Sequence, residues 1–337
     1  MIQLGISAFY FKSSICLTKK DKIISFFNEE EFTGIKNDSS FPINSIQKCL
    51  QDNNLSISDI DQVCWYEDPK IKKDRVINIF NKHFIKTLKL RFKFLLKSYL
   101  NSPKKHLRKL GYTKNIKYVD HHLSHAATSY YTSPFNSSAI LTIDGVGEWE
   151  TITISQGKNK NINKLYSVNF PNSLGMLYST ITAYLGFRPN QDEGKIMEMA
   201  QKGNPNKYYK KIKKIFIDDL NIDQNYFTWE YSEKIMFNIN LCILLDLPPR
   251  LPEEPITQDH KNLAATLQKI YEEKFIFLLN LAKKITNEKN ICLGGGCAYN
   301  HLANKKIKSI FLNTFIPQNP SDSGSPIGAC LYNYYNS

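Results

Sequence analysis

Apolar residues alternate with polar ones, or run continuously, over residues 2–7, 13–17 and 22–27, with a tight turn between the first two segments. That pattern predicts three strands at the start of the chain. Residues 42–50 place their apolar positions three and four apart, which predicts a helix, and 63–66 reads as a short strand. Residues 74–100 read as one long basic helix. The pattern then restarts. A strand is predicted over 116–119, a helix over 121–131, and paired strands over 139–144 and 151–155 around a glycine-containing turn. Another strand at 166–170 and a helix over 173–185 follow. A long amphipathic helix spans 262–285, then come a strand at 290–293, a helix at 300–307 and a last strand at 310–315. A hairpin with small residues near its tip thus occurs twice, near Ser7 and near Asp144, each time followed by more strand and helix. The repeat predicts an internally duplicated α/β architecture with a cleft between halves.

Composition narrows this picture. With 337 residues, 42% hydrophobic and 22% charged, the chain can fill two ordinary domains or one two-lobed unit. Its start, Met1-Ile2-Gln3-Leu4-Gly5-Ile6-Ser7, reads as a strand and not as a leader segment, so a cytoplasmic location is expected. The longest apolar runs, such as 275–279, are too short to span a bilayer, and no membrane partner is expected. The seven cysteines are scattered, odd in number and without a CxxC pair, as for reduced buried thiols. The net charge of +13 is mostly Lys, in a chain also rich in Asn and Ile, and reads chiefly as compositional bias. Its densest stretch, 70–109, is either a solvated helical face or a surface that attracts phosphates; a nucleic-acid partner is not expected.

The chemistry concentrates in a few segments. In Val119-Asp120-His121-His122-Leu123-Ser124-His125, a helix would put His121 and His125 on one face. A strand ending at Asp144 could bring a carboxylate to these two imidazoles. Such a nitrogen and oxygen set suits a divalent transition metal better than a closed structural zinc site. Asp144-Gly145-Val146-Gly147-Glu148 is either an ordinary Asp-Gly turn or a carboxylate followed by amides that face phosphate. The small residues Gly5, Ser7, Ala8, Ser13 and Ser14 would likewise admit a phosphate close to backbone. In Leu293-Gly294-Gly295-Gly296-Cys297, a strand-to-helix turn needs one glycine; the others suggest that an adenosine lies on bare backbone. The run is neither a Walker loop nor a dinucleotide fingerprint. Asp322 is a helix cap or a second carboxylate for a metal. Gln191-Asp192-Glu193-Gly194-Lys195 is a charged surface turn or a substrate-cleft loop, which makes Glu193 and Lys195 the catalytic candidates.

Taken together, and in order along nearly the whole chain, these segments resemble the O-carbamoyltransferases of nodulation-factor and antibiotic synthesis. The similarity includes Leu4–Tyr10, Glu29–Thr33, Ser39-Ser40-Phe41-Pro42, Val119–Ala127, Ser133-Pro134-Phe135, Leu141–Trp149, Phe170–Ser179, the glycine run and the Asp322 turn. The resemblance implies a duplicated actin/Hsp70-like (ASKHA) fold with a nucleotide- and metal-binding cleft. Its lobes would be 1–120 and 121–337. It implies His121, His125, Asp144 and Asp322 as ligands of a divalent, iron-type metal, Fe(II) in the first instance. Nucleotide contacts would fall at Lys36, Gly145, Gly175, Gly295, Gly296 and Asn300. ATP or carbamoyl-adenylate would occupy the cleft, and the carbamoyl group would pass to a small-molecule hydroxyl, on a sugar or secondary metabolite. Two further readings are a degenerate nucleotide- and metal-binding module that partners another protein, and a tRNA threonylcarbamoyl-type transferase.

Departures from the family pattern sharpen the expectations. Phe11-Lys12 stands where the family has His-Asp before its paired serines, and Phe11 can serve neither as base nor as carbamoyl contact. Glu31 and Gly34 replace arginines, Asn37 replaces a histidine, and Glu198 replaces a glycine. Family members also carry a C-terminal YrdC-like domain that makes carbamoyl-adenylate. This chain ends at Ser337, so a separate YrdC-like protein is the expected donor source, unless the chain is a fragment or has been reduced to binding.

Overall fold

The computed structural model describes residues 1–232 and 235–337. Ten strands form two five-stranded sheets. The first contains β1 (Ile2–Ser7), β2 (Ser14–Lys19), β3 (Lys22–Asn28), β4 (Gln62–Trp65) and β5 (Ile116–Tyr118), in the order β3-β2-β1-β4-β5. The second contains β6 (Ser137–Ile143), β7 (Glu150–Lys158), β8 (Asn161–Asn169), β9 (Asn290–Gly294) and β10 (Asn313–Phe315), in the order β10-β9-β6-β7-β8. The two orders are the same walk read from opposite edges. In each sheet the first three strands are an antiparallel meander, and the last two add in parallel on the other side of the first. The repeat read from the sequence is therefore a duplicated topology.

The duplication extends to the helices. The His121–Tyr131 helix follows β5, and the Ser325–Tyr335 helix occupies the same place after β10. These two helices pack against each other, so the halves meet along them. Gly328 makes the contact close: a Cβ there would lie 2.0 Å from Ser124 O and 2.5 Å from Thr128 N. The Gly328 amide donates to Thr128 Oγ1 at 3.0 Å. The Ser325–Tyr335 helix also lies on the first sheet. Gln3 Nε2 donates to Cys330 O, and a Cβ on Gly5 would meet Pro326 O at 2.2 Å. The small residue at position 5 is thus used by the protein's own chain. Each sheet has its own apolar core, one around Leu4, Ile6, Ile15, Ile46 and Trp65, the other around Leu141, Ile154, Ile181, Leu267 and Leu293.

Most predicted elements recur with shifted ends. The hairpin strands are longer than expected because cross-strand pairing continues past the apolar core, to Ser137↔Lys158 and Asn161↔Lys158. The long basic helix predicted over 74–100 is two helices, Pro69–Lys82 and Phe84–Leu100. His83 breaks it with φ −117° and ψ 47°, and Thr87 Oγ1 donates back to the His83 carbonyl at 2.9 Å. The helix expected over 300–307 is one turn at His301–Asn304, and the last strand begins only at Asn313. Among the described residues, no helix is long and apolar enough to cross a membrane.

Candidate metal and nucleotide site

Four side chains converge where the halves meet. His121 and His125, four apart on their helix, turn their Nε2 atoms toward each other at 3.0 Å. Asp144, immediately after β6, places Oδ2 at 2.9 Å from His125 Nε2 and 3.4 Å from His121 Nε2. Asp322, just before the Ser325–Tyr335 helix, places Oδ1 at 3.4 and 3.5 Å from the same two nitrogens. All four candidate ligand atoms lie within 4.8 Å of one another. His125 is fully buried and His121 is 4% exposed.

The surroundings hold these groups in place. Ser325 Oγ lies 3.2 Å from His125 Nδ1, which fixes that ring, whereas His121 Nδ1 has no hydrogen-bond partner among the described residues. Glu148 takes over the capping task that Asp120 does not perform: its carboxylate accepts from His121 N at 3.0 and 3.1 Å, and from Asp68 N at 2.6 Å. An anion at a helix N-terminus is favourably placed against the helix dipole. Asp144 Oδ1 accepts from Gly145 N at 2.7 Å, and Ser173 Oγ donates to Gly145 O at 2.6 Å. His122 faces away. Its Nδ1 lies 2.6 Å from Thr142 Oγ1, which is equally close to Thr153 Oγ1.

Electrostatics tie the cluster together. Burial opposes ionisation of Asp144, yet hydrogen bonds from His121 and His125 hold its carboxyl well below the usual range. Burial alone would lower His125, but its bonds to Asp144 and Asp322 outweigh this and push it up to about 9. His121 is raised too, burial being outweighed by the Asp322 charge and the Asp144 bond. Desolvation instead keeps His122 well below its ordinary value. One proton between two facing imidazoles cannot satisfy four acceptor atoms at once. A divalent cation can, and with neutral imidazoles its charge would match the two carboxylates. Two nitrogens and two oxygens fit a first-row transition metal. Where bound, such an ion would be held by His121, His125, Asp144 and Asp322.

The other residues singled out in the sequence fall in different places. Gly145 and Gly175 adjoin Asp144: a Cβ on Gly175 would meet Asp144 O at 2.6 Å, so this glycine admits the Asp144 turn against the Leu174–Tyr184 helix. Gly296 lies beside Asp144 Oδ1, at 3.2 Å from where its Cβ would be. Gly295 has φ +85°, and a Cβ there would lie 2.2 Å from Ile143 O; Gly294 similarly meets His125 O at 2.9 Å. What packs on the bare backbone at these two positions is the chain itself. Asn300 Oδ1 accepts from Ala303 N, and its amide pairs with that of Gln268 through two 3.0 Å bonds. Lys36 is exposed on the loop after Gly34, where its charge acts on Glu30. Glu193 accepts from Asn190 N at 2.6 Å and Ser179 Oγ at 2.9 Å, while exposed Lys195, in the first turn of the Glu193–Ala200 helix, pairs with buried Asp192 at 3.0 Å. Lys12, beside Phe11, forms an ion pair with Glu30. Sequence reasoning overlooked Glu148 and Ser325 as supports of the two histidines; both lie within or beside quoted motifs, but their roles need the folded chain.

Comparison with known proteins agrees with this geometry. Residues 2–331 match the family described as carbamoyltransferase N-terminus. An uncharacterised protein of Synechocystis sp., sll1178, is 34% identical over 97% of this chain and 56% of its own length. Nodulation protein NolNO of Sinorhizobium fredii is 28% identical over 96% of this chain and 46% of its own. The chain thus spans about half the length of these curated relatives. Component A of (R)-2-hydroxyglutaryl-CoA dehydratase from Acidaminococcus fermentans shares the fold, with TM-score 0.55, 12% identity and full coverage of both chains. The activator of 2-hydroxyisocaproyl-CoA dehydratase from Clostridium difficile, solved with ADPNP, matches at TM-score 0.50 and 12% identity, over 99% of this chain and 94% of that one. The duplicated two-lobed fold is of the ASKHA type.

Proposed function

Since the chain belongs to the O-carbamoyltransferase family, matching its N-terminal part, we propose that it transfers a carbamoyl group from carbamoyl-adenylate to a hydroxyl of a sugar or secondary metabolite. The observation that carries this reading is the convergence of His121, His125, Asp144 and Asp322 at the junction of two duplicated halves. In the transfer, the acceptor oxygen bonds to the carbamoyl carbon, the bond from that carbon to the AMP phosphate breaks, and the hydroxyl proton is lost. A divalent metal, Fe(II) in this reading, would supply positive charge for the leaving phosphate. The chain's own contribution is placement. The two imidazoles come from the helix that follows the first sheet, and Asp144 and Asp322 from the ends of β6 and β10 of the second, so the site spans the junction. Gly145 and Gly296 leave room for a phosphate beside Asp144. Glu148 keeps the amide end of the His121–Tyr131 helix fixed while the ligands are presented.

Phe11 supports a second reading, a nucleotide- and metal-binding module without transfer, because it stands where the family has a histidine. The deciding experiment supplies purified protein with carbamoyl-adenylate from a YrdC-like enzyme and a panel of hydroxyl acceptors. AMP release coupled to a carbamoylated product supports transfer. Binding of ADP with no product from any acceptor, and no gain in Phe11→His, supports the module.

A further inference from the structure

Residues 69–109 hold 14 Lys and Arg against one acid, Asp74, while the rest of the chain has 30 basic and 30 acidic residues. The whole net charge of +13 therefore sits on the helical segment between β4 and β5. Part of it is neutralised at the root of that segment. Lys72 pairs with Glu67, Lys82 pairs with Glu230, and Arg75 is buried against the Phe170 ring. Of the other eleven cations, nine lie on the Phe84–Leu100 helix and its successor Pro103–Lys109.

The Phe84–Leu100 helix is held only along one side. Among the described residues of this helix Thr87 alone is buried, and Phe94 meets Phe80 of the preceding helix at 5.7 Å between ring centroids. Arg91 donates to Phe80 O and lies over the Phe84 ring. Away from this contact, Ile85, Leu88, Phe92, Leu95, Leu96, Tyr99 and Leu100 are exposed, Ile85 to 83% and Phe92 to 75%. At helical spacing these seven span an arc of about 140°, within which the Lys89 position also falls. Lys86 and Lys97 follow at its edge, exposed but resting over the Tyr231 and Tyr10 rings at 4.3 and 5.7 Å, and the helix contains no acidic residue.

That combination selects the partner. A second copy would set one row of lysines against another, which opposes pairing. A nucleic acid would use the lysines and leave the apolar arc in water. An anionic bilayer surface satisfies both: aliphatic and aromatic side chains enter the headgroup and acyl boundary, and edge lysines reach back to lipid phosphates. At 17 residues the helix is about 25 Å long, enough to lie in the interface and too short to span it. We propose that the Phe84–Leu100 helix docks this chain flat on an anionic lipid surface. The absence of a membrane partner expected from the sequence considered only spanning segments.

The test uses the full chain and sucrose-loaded vesicles, and needs neither metal nor nucleotide, so it stands apart from the transferase reading. Vesicles of phosphatidylcholine with about 30% phosphatidylglycerol should sediment the protein, pure phosphatidylcholine should not, and binding should weaken as salt rises. Phe92→Ser should weaken binding roughly tenfold or more, since the side chain no longer enters the boundary. Lys86→Glu with Lys97→Glu should do so by on the order of tenfold or more. All three positions are exposed, so circular dichroism should not change, and melting temperature should fall only slightly as the Lys86 and Lys97 contacts to Tyr231 and Tyr10 are lost. Tyr99→Trp should show a blue-shifted emission with anionic vesicles alone. No sedimentation with anionic vesicles overturns the proposal, as does binding that salt abolishes but Phe92→Ser leaves intact. An oligomer that Phe92→Ser dissolves, without vesicle binding, also overturns it and gives the face to a second copy.

Discussion

Replacing Glu148 with Ala should damage two things at once, the stability of the fold and the presentation of His121. The Glu148 carboxylate accepts from His121 N at 3.0 and 3.1 Å and from Asp68 N at 2.6 Å, and is 6% exposed. Alanine leaves two amides without their acceptor in a place that water reaches poorly. Each orphaned donor costs about 1–3 kcal/mol, and the helix N-terminus loses an anion worth about 0.3–2 kcal/mol. Part is offset, because burial already raises the Glu148 carboxyl and disfavours its charge. The net expectation is a loss of about 3 kcal/mol. Glu148→Gln keeps one carbonyl acceptor and should lose roughly half as much. Denaturant titration in EDTA reads the stability term free of metal, and a competitive chelator titration reads metal affinity. Glu148→Ala should lower both, with Glu148→Gln between it and the parent. A Glu148→Ala protein within about 0.5 kcal/mol of the parent, with unchanged metal affinity, refutes the capping argument.

In the metal-free protein His125 is raised to about 9 by Asp144 and Asp322 against the pull of burial. Its stabilising contribution is therefore full below about 6.5 and is lost as pH rises through about 9. The melting temperature of metal-free protein should fall across that window, and calorimetry at pH 7 should detect about one proton released per metal bound. Gly328→Ala should destabilise by about 1–3 kcal/mol and weaken metal binding, because its Cβ would press on Ser124 O at 2.0 Å and separate the helices that carry the ligands. Burial pushes the Cys49 and Cys292 thiols up to about 11, and Cys16, Cys64 and Cys330 are also buried. Alkylation of native protein near pH 8, mapped by mass spectrometry, should leave those five intact while partly exposed Cys242 reacts.

Local periodicity made His121 and His125 readable as a pair, since i and i+4 share a helix face before any tertiary contact exists. Asp144 was readable as a strand end, and the second hairpin near it betrayed the duplication. What the sequence concealed depends on the two halves meeting. Glu148 caps a helix that precedes it by 27 positions, and Ser325 braces a ring 200 positions away. The glycine run hid part of its purpose for the same reason. Gly295 is bare because Ile143 O comes against it, a contact made only when β9 pairs with β6. The break at His83 was hidden because the basic and apolar periodicity runs through it unchanged, and only its non-helical φ and ψ mark the turn.

The central claim is that His121, His125, Asp144 and Asp322 hold one divalent metal at the junction of the halves. Protein purified without oxygen and loaded with Fe(II) should retain one metal per chain through desalting, measured by elemental analysis. His121→Ala and His125→Ala should each lose it while keeping the parent's circular dichroism spectrum. Undiminished metal content in both folded variants, or none retained by the parent, would contradict the account.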